Sequence, residues 1–258
     1  MQWSFSRIES FDSCPYKWML RYIRGWDEKD TFYASYGTFI HEIIRKYYEG
    51  ELNKHQLLPY YLTNFKVCVL GERPKDSTVK KYIESGVNYF KNFQPFPYNI
   101  IAVEKKVNFD LDGIPFVGFI DYIGEKDNDY IIVDNKSREL KQRSGRQKPT
   151  VKDIELDEML KQLYIYSEAI FQLFGKYPKT LAFNCFRNGV FIEEQFDENA
   201  FKNAKKWAVE TIHRIEDEED FAPNQDMFAC KWLCGLSDRC KYDIDAKEEW
   251  RRMKLHEG

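Results

Sequence analysis

The sequence predicts an α/β protein with a mixed central sheet flanked by helices, and three observations carry that prediction. Apolar residues in the first 98 positions recur at helical spacing. From Asn99 the pattern changes to alternation with a period of two. The second half then supplies a long helical stretch, a hairpin and another helical stretch. A chain of 258 residues fits a single domain. We divide it into a helical region at 1–98, a core at 99–216 and a cysteine-rich tail at 217–258.

The elements follow in order. Ser6 is placed to cap a helix through Arg7–Phe11, in a region interrupted by Pro15. Gly37 to Tyr48 carries Ile40, Ile43, Ile44, Tyr47 and Tyr48 on one helical face, with Gly50 as the stop. Further helices are expected near 54–70 and 76–93. Pro95-Phe96-Pro97 marks the change of period. Strands are expected at about 99–110, 115–124 and 129–135, separated by turns at Asp112-Gly113 and Lys126–Asp129. A helix at about 153–174 follows. Strands at about 179–187 and 190–195 then flank Asn188-Gly189, a hairpin signal. Asp197 can cap a last long helix reaching about Glu216.

Composition narrows the class. Hydrophobic residues make up 43% of the chain and aromatic residues 17%, enough for a core rich in Phe and Tyr. No apolar run approaches the ~20 residues that span a bilayer. Met1–Ser6 lacks the basic and then apolar layout of a secretory signal. A soluble, cytoplasmic protein with no membrane partner is therefore expected. In a reducing compartment its six cysteines call for something other than disulfides. The formal net charge is −3, whereas nucleic-acid binders are often basic overall. Distribution matters more than the sum. Lys136, Arg138, Lys141, Arg143, Arg146, Lys148 and Lys152 face the single acid Glu139 within one short segment. Acids concentrate elsewhere, as at Glu216–Asp220.

The chemistry-bearing stretch is Gly118-Phe119-Ile120-Asp121, a turn, and then Ile131-Ile132-Val133-Asp134-Asn135-Lys136. A two-residue turn at Asp127-Asn128 pairs Lys126 with Asp129. Counting back along the hairpin, it also sets Asp121 opposite Asp134, with Lys136 on the same face two residues later. Opposed carboxylates repel unless a cation lies between them, and hard oxygen donors suit Mg²⁺ or Mn²⁺. A neighbouring lysine can orient or deprotonate a water, or stabilise charge on a phosphate. Acid, acid and lysine on one sheet face is the equipment of metal-assisted phosphodiester hydrolysis. Phe119-Ile120 and Ile131–Val133 are read as buried, central strand residues.

This segment resembles motifs II and III of the RecB-like PD-(D/E)XK nucleases, a G-x-x-D strand followed by a D-x-K strand. Gly37-Thr38-Phe39-Ile40-His41 resembles the family's G-x-x-x-H helix, and Gln162–Tyr166 its Q-x-x-x-Y helix. Residues four apart share a helical face, so Gln162 and Tyr166 can point into one site. The resemblance implies a restriction-endonuclease-like core. It makes His41, Asp121 and Asp134 metal ligands, with help from the Asn135 carbonyl. It makes Lys136 catalytic, together with Asp121, Asp134, Gln162 and Tyr166. Glu104 matches an acid often found on the first strand.

Cys230, Cys234 and Cys240 form a C-terminal group, and Cys14 stands in Cys14-Pro15-Tyr16 near the other end. One N-terminal and three C-terminal cysteines resemble the iron–sulfur staple of AddB-type helicase–nucleases and CRISPR-adaptation nucleases. The resemblance implies a [4Fe–4S] cluster that closes the tail on the helical region, with structural zinc as the alternative for four thiolates. The three-residue gap between Cys230 and Cys234 departs from the usual two. Cys68 and Cys185 are read as core residues.

The expectation is a metal-dependent DNA nuclease, an exonuclease acting on single strands or DNA ends in recombination, repair or phage- or CRISPR-related processing. The alternative is a silent or redox-responsive DNA-binding module of the same fold. The basic segment, with Arg138, Lys141, Arg143, Arg146 and Lys148, is expected to be a mobile loop that grips DNA beside the scissile phosphate. No phosphate-binding Gly-x-x-x-x-Gly-Lys-Ser/Thr loop is present, so no motor is fused to the chain.

Overall fold

The computed structural model describes residues 2–242. Five helices come first: α1 (Phe5–Ser13), α2 (Pro15–Tyr22), α3 (Phe32–Tyr48), α4 (Lys54–Cys68) and α5 (Asp76–Lys91). Strands β1 (Asn99–Leu111), β2 (Ile114–Lys126) and β3 (Asp129–Lys136) form a meander. It is followed by α6 (Val151–Phe174), the pair β4 (Thr180–Cys185) and β5 (Val190–Gln195), and α7 (Glu198–Glu216).

Local chemistry sets the ends of these elements. Ser4, not Ser6, caps α1, accepting the Arg7 N–H at 3.2 Å. The earlier start brings Phe5 onto the buried face with Ile8 and Phe11. Pro15 opens a second helix rather than merely interrupting the first: it occupies the first turn of α2, where no intrahelical donor is needed. Cys14 caps α2 through its sulfur, 3.4 Å from the Lys17 N–H. Helix α3 begins well before Gly37 because Thr31 caps it and Phe32, Ser35 and Tyr36 extend its buried face.

The sheet order is β1-β2-β3-β4-β5. Only β3 and β4 run parallel, and α6 makes the crossover that a parallel pair requires. Alternate residues of the central strands feed two cores. Ile132, Leu181 and Phe183 pack with Leu163, Tyr166 and Ile170 of α6. Ile131, Val133 and Ala182 pack with Ile40, Ile43 and Ile44 of α3. Asp127 and Asn128 have φ of 54° and 63°, both left-handed, as a two-residue turn that follows the strand twist requires. The register from Lys126↔Asp129 to Tyr122↔Val133 is the one the sequence predicts. The β4–β5 turn is longer than Asn188-Gly189, since Cys185 pairs with Val190.

One edge of β2 positions the candidate site. Its pairing with β3 ends at Tyr122↔Val133, and farther along the same strand Trp3 forms a parallel bridge to Phe116. The Trp3 N–H donates to the Pro115 carbonyl at 2.9 Å, and the Val117 N–H to the Trp3 carbonyl at 2.8 Å. Between these two partners lies the stretch Gly118–Asp121, paired with β1 through Ile120 but with a gap on its other side. Phe119 was read as buried; it is 58% exposed, because it projects from this gapped stretch instead of facing a core. No helix of the described residues is long and apolar enough to cross a membrane.

Candidate active site

The expected residues converge on that gap. Beyond the last β2–β3 pair, a side chain makes the next rung: the Asn135 N–H donates to Asp121 Oδ2 at 2.8 Å. The same oxygen lies 3.4 Å from His41 Nδ1, presented by the third turn of α3. A hydrogen bond to the Asn135 carbonyl also engages the His41 ring, while burial pushes its pKa down to about 4. Asp134 is 5% exposed and faces Lys136, with Oδ2 and Nζ 2.8 Å apart. Lys136 is the partner of this buried carboxylate oxygen. Lys136 Nζ also donates to Gln162 Oε1 at 2.6 Å.

Charges here are strongly coupled. Burial holds the Asp121 carboxyl well above the usual carboxylate range, and Asp134 pushes it further; the Asn135 N–H and Lys136 oppose the rise. Burial pulls the Lys136 ammonium down, but Asp134, Asp121 and Glu9 outweigh it and leave its pKa raised.

Tyr166 fills part of the β2 gap. Burial pushes its hydroxyl up to about 12, against hydrogen bonds from Gln162 and from the Phe119 backbone. Gln162 thereby links Tyr166 to Lys136. The ring explains the glycine in Gly118-x-x-Asp121: a Cβ at Gly118 would lie 2.5 Å from Tyr166 Cε1. Gly37 is different. A Cβ there would meet Ser137 Oγ at 3.5 Å, an ordinary contact.

Sequence reasoning missed two features of this site. Glu9 on α1 lies at its mouth. Solvent reaches it, yet the surrounding protein raises its carboxyl, with Lys136 and Arg138 opposing that rise. Nothing in the spacing of α1 signals that Glu9 meets a residue over a hundred positions away. Behind Asn135 lies a polar network. Asn184 Nδ2 donates to Asn135 Oδ1 and to the Tyr89 hydroxyl, both at 2.7 Å, and Asn135 Nδ2 donates to the Tyr122 hydroxyl at 3.4 Å. Glu104 sits on β1 with a left-handed φ of 44°, and burial raises its carboxyl.

The basic segment is pinned at several points. Arg143 reaches Glu194 at 2.7 Å and Asp157 at 2.5 Å, and Arg138 reaches Glu155 at 3.2 Å. Leu140 is buried. Asp153, the third residue of α6, accepts from Ser144 N at 2.8 Å and Thr150 N at 2.6 Å, joining the segment to the helix cap. Lys141, Arg146 and Lys148 are exposed.

At the far side of α1 and α2, Cys14, Cys230, Cys234 and Cys240 line one small enclosed cavity of about 30 Å³. Burial raises the Cys234 thiol. Cys68 is half-buried and Cys185 fully buried. Cys230 lies in a π-helical turn (Ala229–Leu233) that Cys234 ends, and Cys240 ends a 3-10 turn (Ser237–Arg239). Gly235 makes the close approach that docks this segment. A Cβ there would fall 2.4 Å from the Lys29 carbonyl, and the Lys29 N–H donates to the Gly235 carbonyl at 2.9 Å. Among the described residues, no three His, Cys, Asp or Glu side chains are arranged to hold a metal ion.

A sheet with this order, a carboxylate–lysine pair at its centre and a Gln/Tyr helix across it define a nuclease fold, and comparison with known proteins agrees. The chain belongs to the PD-(D/E)XK nuclease superfamily, whose family model matches residues 2–241. Its fold is similar to that of a crystal structure described as a candidate exonuclease from Eubacterium rectale. The TM-score is 0.54 at 15% identity, covering 93% of this chain and 88% of that one. A match to the structure of SSO0001, also at 15% identity, covers 92% of this chain and 97% of that one, with a TM-score of 0.31. No curated protein sequence matches this chain significantly.

Proposed function

We propose that this chain is a divalent-metal-dependent deoxyribonuclease of the RecB-like branch, acting on single strands or DNA ends. The observation that carries the reading is the meeting of His41, Asp121, Asp134, Lys136, Gln162 and Tyr166 in the gap of β2. The donor set fits a hard cation: two buried carboxylates that repel, a carbonyl and an imidazole. His41, Asp121, Asp134 and the Asn135 carbonyl would hold Mg²⁺ or Mn²⁺. Such an ion, when bound, polarises a phosphoryl oxygen and acidifies a water. The protein groups supply the rest. Lys136 places a cation beside Asp134, where charge on a phosphate would develop. Gln162 fixes that ammonium and connects it to Tyr166. Asn184 and Tyr89 hold Asn135 in place from behind.

The shared cavity of four thiols, with no carboxylate or imidazole among its lining residues, fits a soft metal centre. We infer a [4Fe–4S] cluster there, with structural zinc as the alternative. Exonuclease action follows by likeness to the Eubacterium rectale protein's description and is part of this proposal.

The test is digestion of 5′- and 3′-labelled single- and double-stranded DNA with Mg²⁺ or Mn²⁺. Metal-dependent cleavage abolished by Asp134→Ala supports the reading. Intact DNA under all these conditions overturns it.

A further inference from the structure

We propose that the cleft between α5 and the β4–β5 turn is a subsite for one unstacked nucleotide of a strand held at the carboxylate–lysine site. This rests on the nuclease reading and gives the strand a path on one side of the metal ligands. The cleft measures about 720 Å³, within the roughly 300–1,000 Å³ that small-ligand pockets span. Its wall combines partly exposed aromatic surface from Tyr89 and Phe191 with side-chain amides from Asn88, Asn92 and Asn188. Aromatic faces accept any base by stacking, and amides offer both donors and acceptors to a base edge. Two cations, Lys81 and Arg187, line it against one acid, Glu84. Arg187 is already paired with Glu139 at 2.9 Å, which leaves Lys81, exposed at the rim, to meet a phosphate.

The wall of the cleft backs onto the active site through two buried residues. The Phe186 ring on its wall lies 5.9 Å from the His41 ring. Asn184, another wall residue, bonds Asn135 at 2.7 Å. Asn184 directs its amide nitrogen to both Asn135 and Tyr89. A base within a duplex is stacked on both faces and cannot enter a side cleft. A base turned out of a single strand can.

The test uses metal-free full-length protein, so that binding is read without turnover. The probe is a fluorescent oligothymidine of ~12 nucleotides, within the footprint of single-strand binding surfaces. Asn88→Trp fills the cleft from an exposed helix position and should weaken binding about tenfold, the loss expected for one stacked base. Lys81→Ala should flatten the log–log salt dependence by about 0.7, one single-strand phosphate contact. Duplex DNA of the same length should respond to neither variant. Should Asn88→Trp melt early, Asn92→Trp approaches the cleft from the next turn. Unchanged oligothymidine affinity and salt slope in the variants would overturn the proposal, as would equal losses on duplex. The parent reading is scored separately, by wild-type hydrolysis of bis(p-nitrophenyl) phosphate with Mn²⁺. If that is absent while the binding effects persist, the nuclease reading fails and the cleft stands.

Discussion

The carboxylate–lysine site and the cysteine cavity are both candidate metal centres, but they are built in opposite ways. The first is assembled on the adjacent strands β2 and β3 and held by hydrogen bonds that need no ion: Asn135 to Asp121, Lys136 to Gln162, and Asn184 to Asn135. The second joins Cys14 to three cysteines from the far end of the chain, on or at the ends of short π-helical and 3-10 turns. The comparison teaches where each metal acts. On the proposed reading, the fold supplies the geometry at the sheet and an ion would add chemistry, whereas at the tail a bound metal would itself supply the geometry.

The largest expected effect lies at the sheet. Asp134→Ala and Lys136→Ala should each cut DNA cleavage by at least ~100- to 1,000-fold. Asp134→Ala should change the thermal midpoint of metal-free protein little, because relief of the repulsion with Asp121 offsets the loss of the Lys136 ion pair, whose ammonium keeps its bond to Gln162. Wild type should gain stability on addition of Mn²⁺ and the variant should not, as calorimetry can report. A variant that loses stability without metal, and still gains it with Mn²⁺, would break the contrast.

The tail should behave in reverse. Cys14→Ser should cost roughly 2–5 kcal/mol, by analogy with a cross-link closing a very long loop. It should also bleach the absorption near ~400 nm of anaerobically purified protein, where thiolate-ligated iron absorbs. Stoichiometric zinc without iron would keep the contrast and change the metal. Unchanged stability on chelation would end it.

A third comparison sets two motif glycines side by side. Gly118→Ala forces a Cβ into the Tyr166 ring and should cost about 1–3 kcal/mol. By shifting Tyr166 and Gln162 it should slow cleavage about 100-fold. Gly37→Ala meets only an ordinary contact inside a helix and should be neutral, or stabilising by about 0.5–1 kcal/mol. Equal losses at both positions in melts and in cleavage would remove the steric account. The smallest effect belongs to Arg143→Ala, about 0.5–1 kcal/mol for two partly exposed ion pairs. A much larger loss of DNA affinity than of stability would return Arg143 to the DNA-gripping role that its pairing argues against.

These differences also decide what the sequence made legible. The closeness of Asp121 and Asp134 was readable because a two-residue turn fixes register as far as Tyr122↔Val133, one position short of them; that a side-chain bond from Asn135 to Asp121 replaces the next rung was not. Gln162 and Tyr166 were readable because helical spacing is equally strict. Phe119 was not: apolar residues on a strand imply burial only while the strand has neighbours on both sides, and β2 lacks one there. Glu9 and Asn184 act through contacts between distant segments, for which no local period exists. The basic segment looked mobile because its charges formed no pattern. Its restraint comes from Asp153 and from acids on α6 and β5, whose meeting with Arg143 is purely tertiary.

The Trp3 bridge to β2 bears on how the chain reaches this fold. It is reinforced by the hydrogen bond from Trp207 Nε1 to Asp12, 195 positions apart. Contacts of such sequence separation incur the full entropy of closing a long loop before they return any energy, so they form late and fold slowly. The β1–β2–β3 meander needs only short turns and can form first, with Gly118–Asp121 open along one edge. Helices α1 and α7 then close together over a sheet already in register. In native-state hydrogen exchange these two helices should therefore open as one unit at lower free energy than β2 and β3, although they stand at opposite ends of the chain.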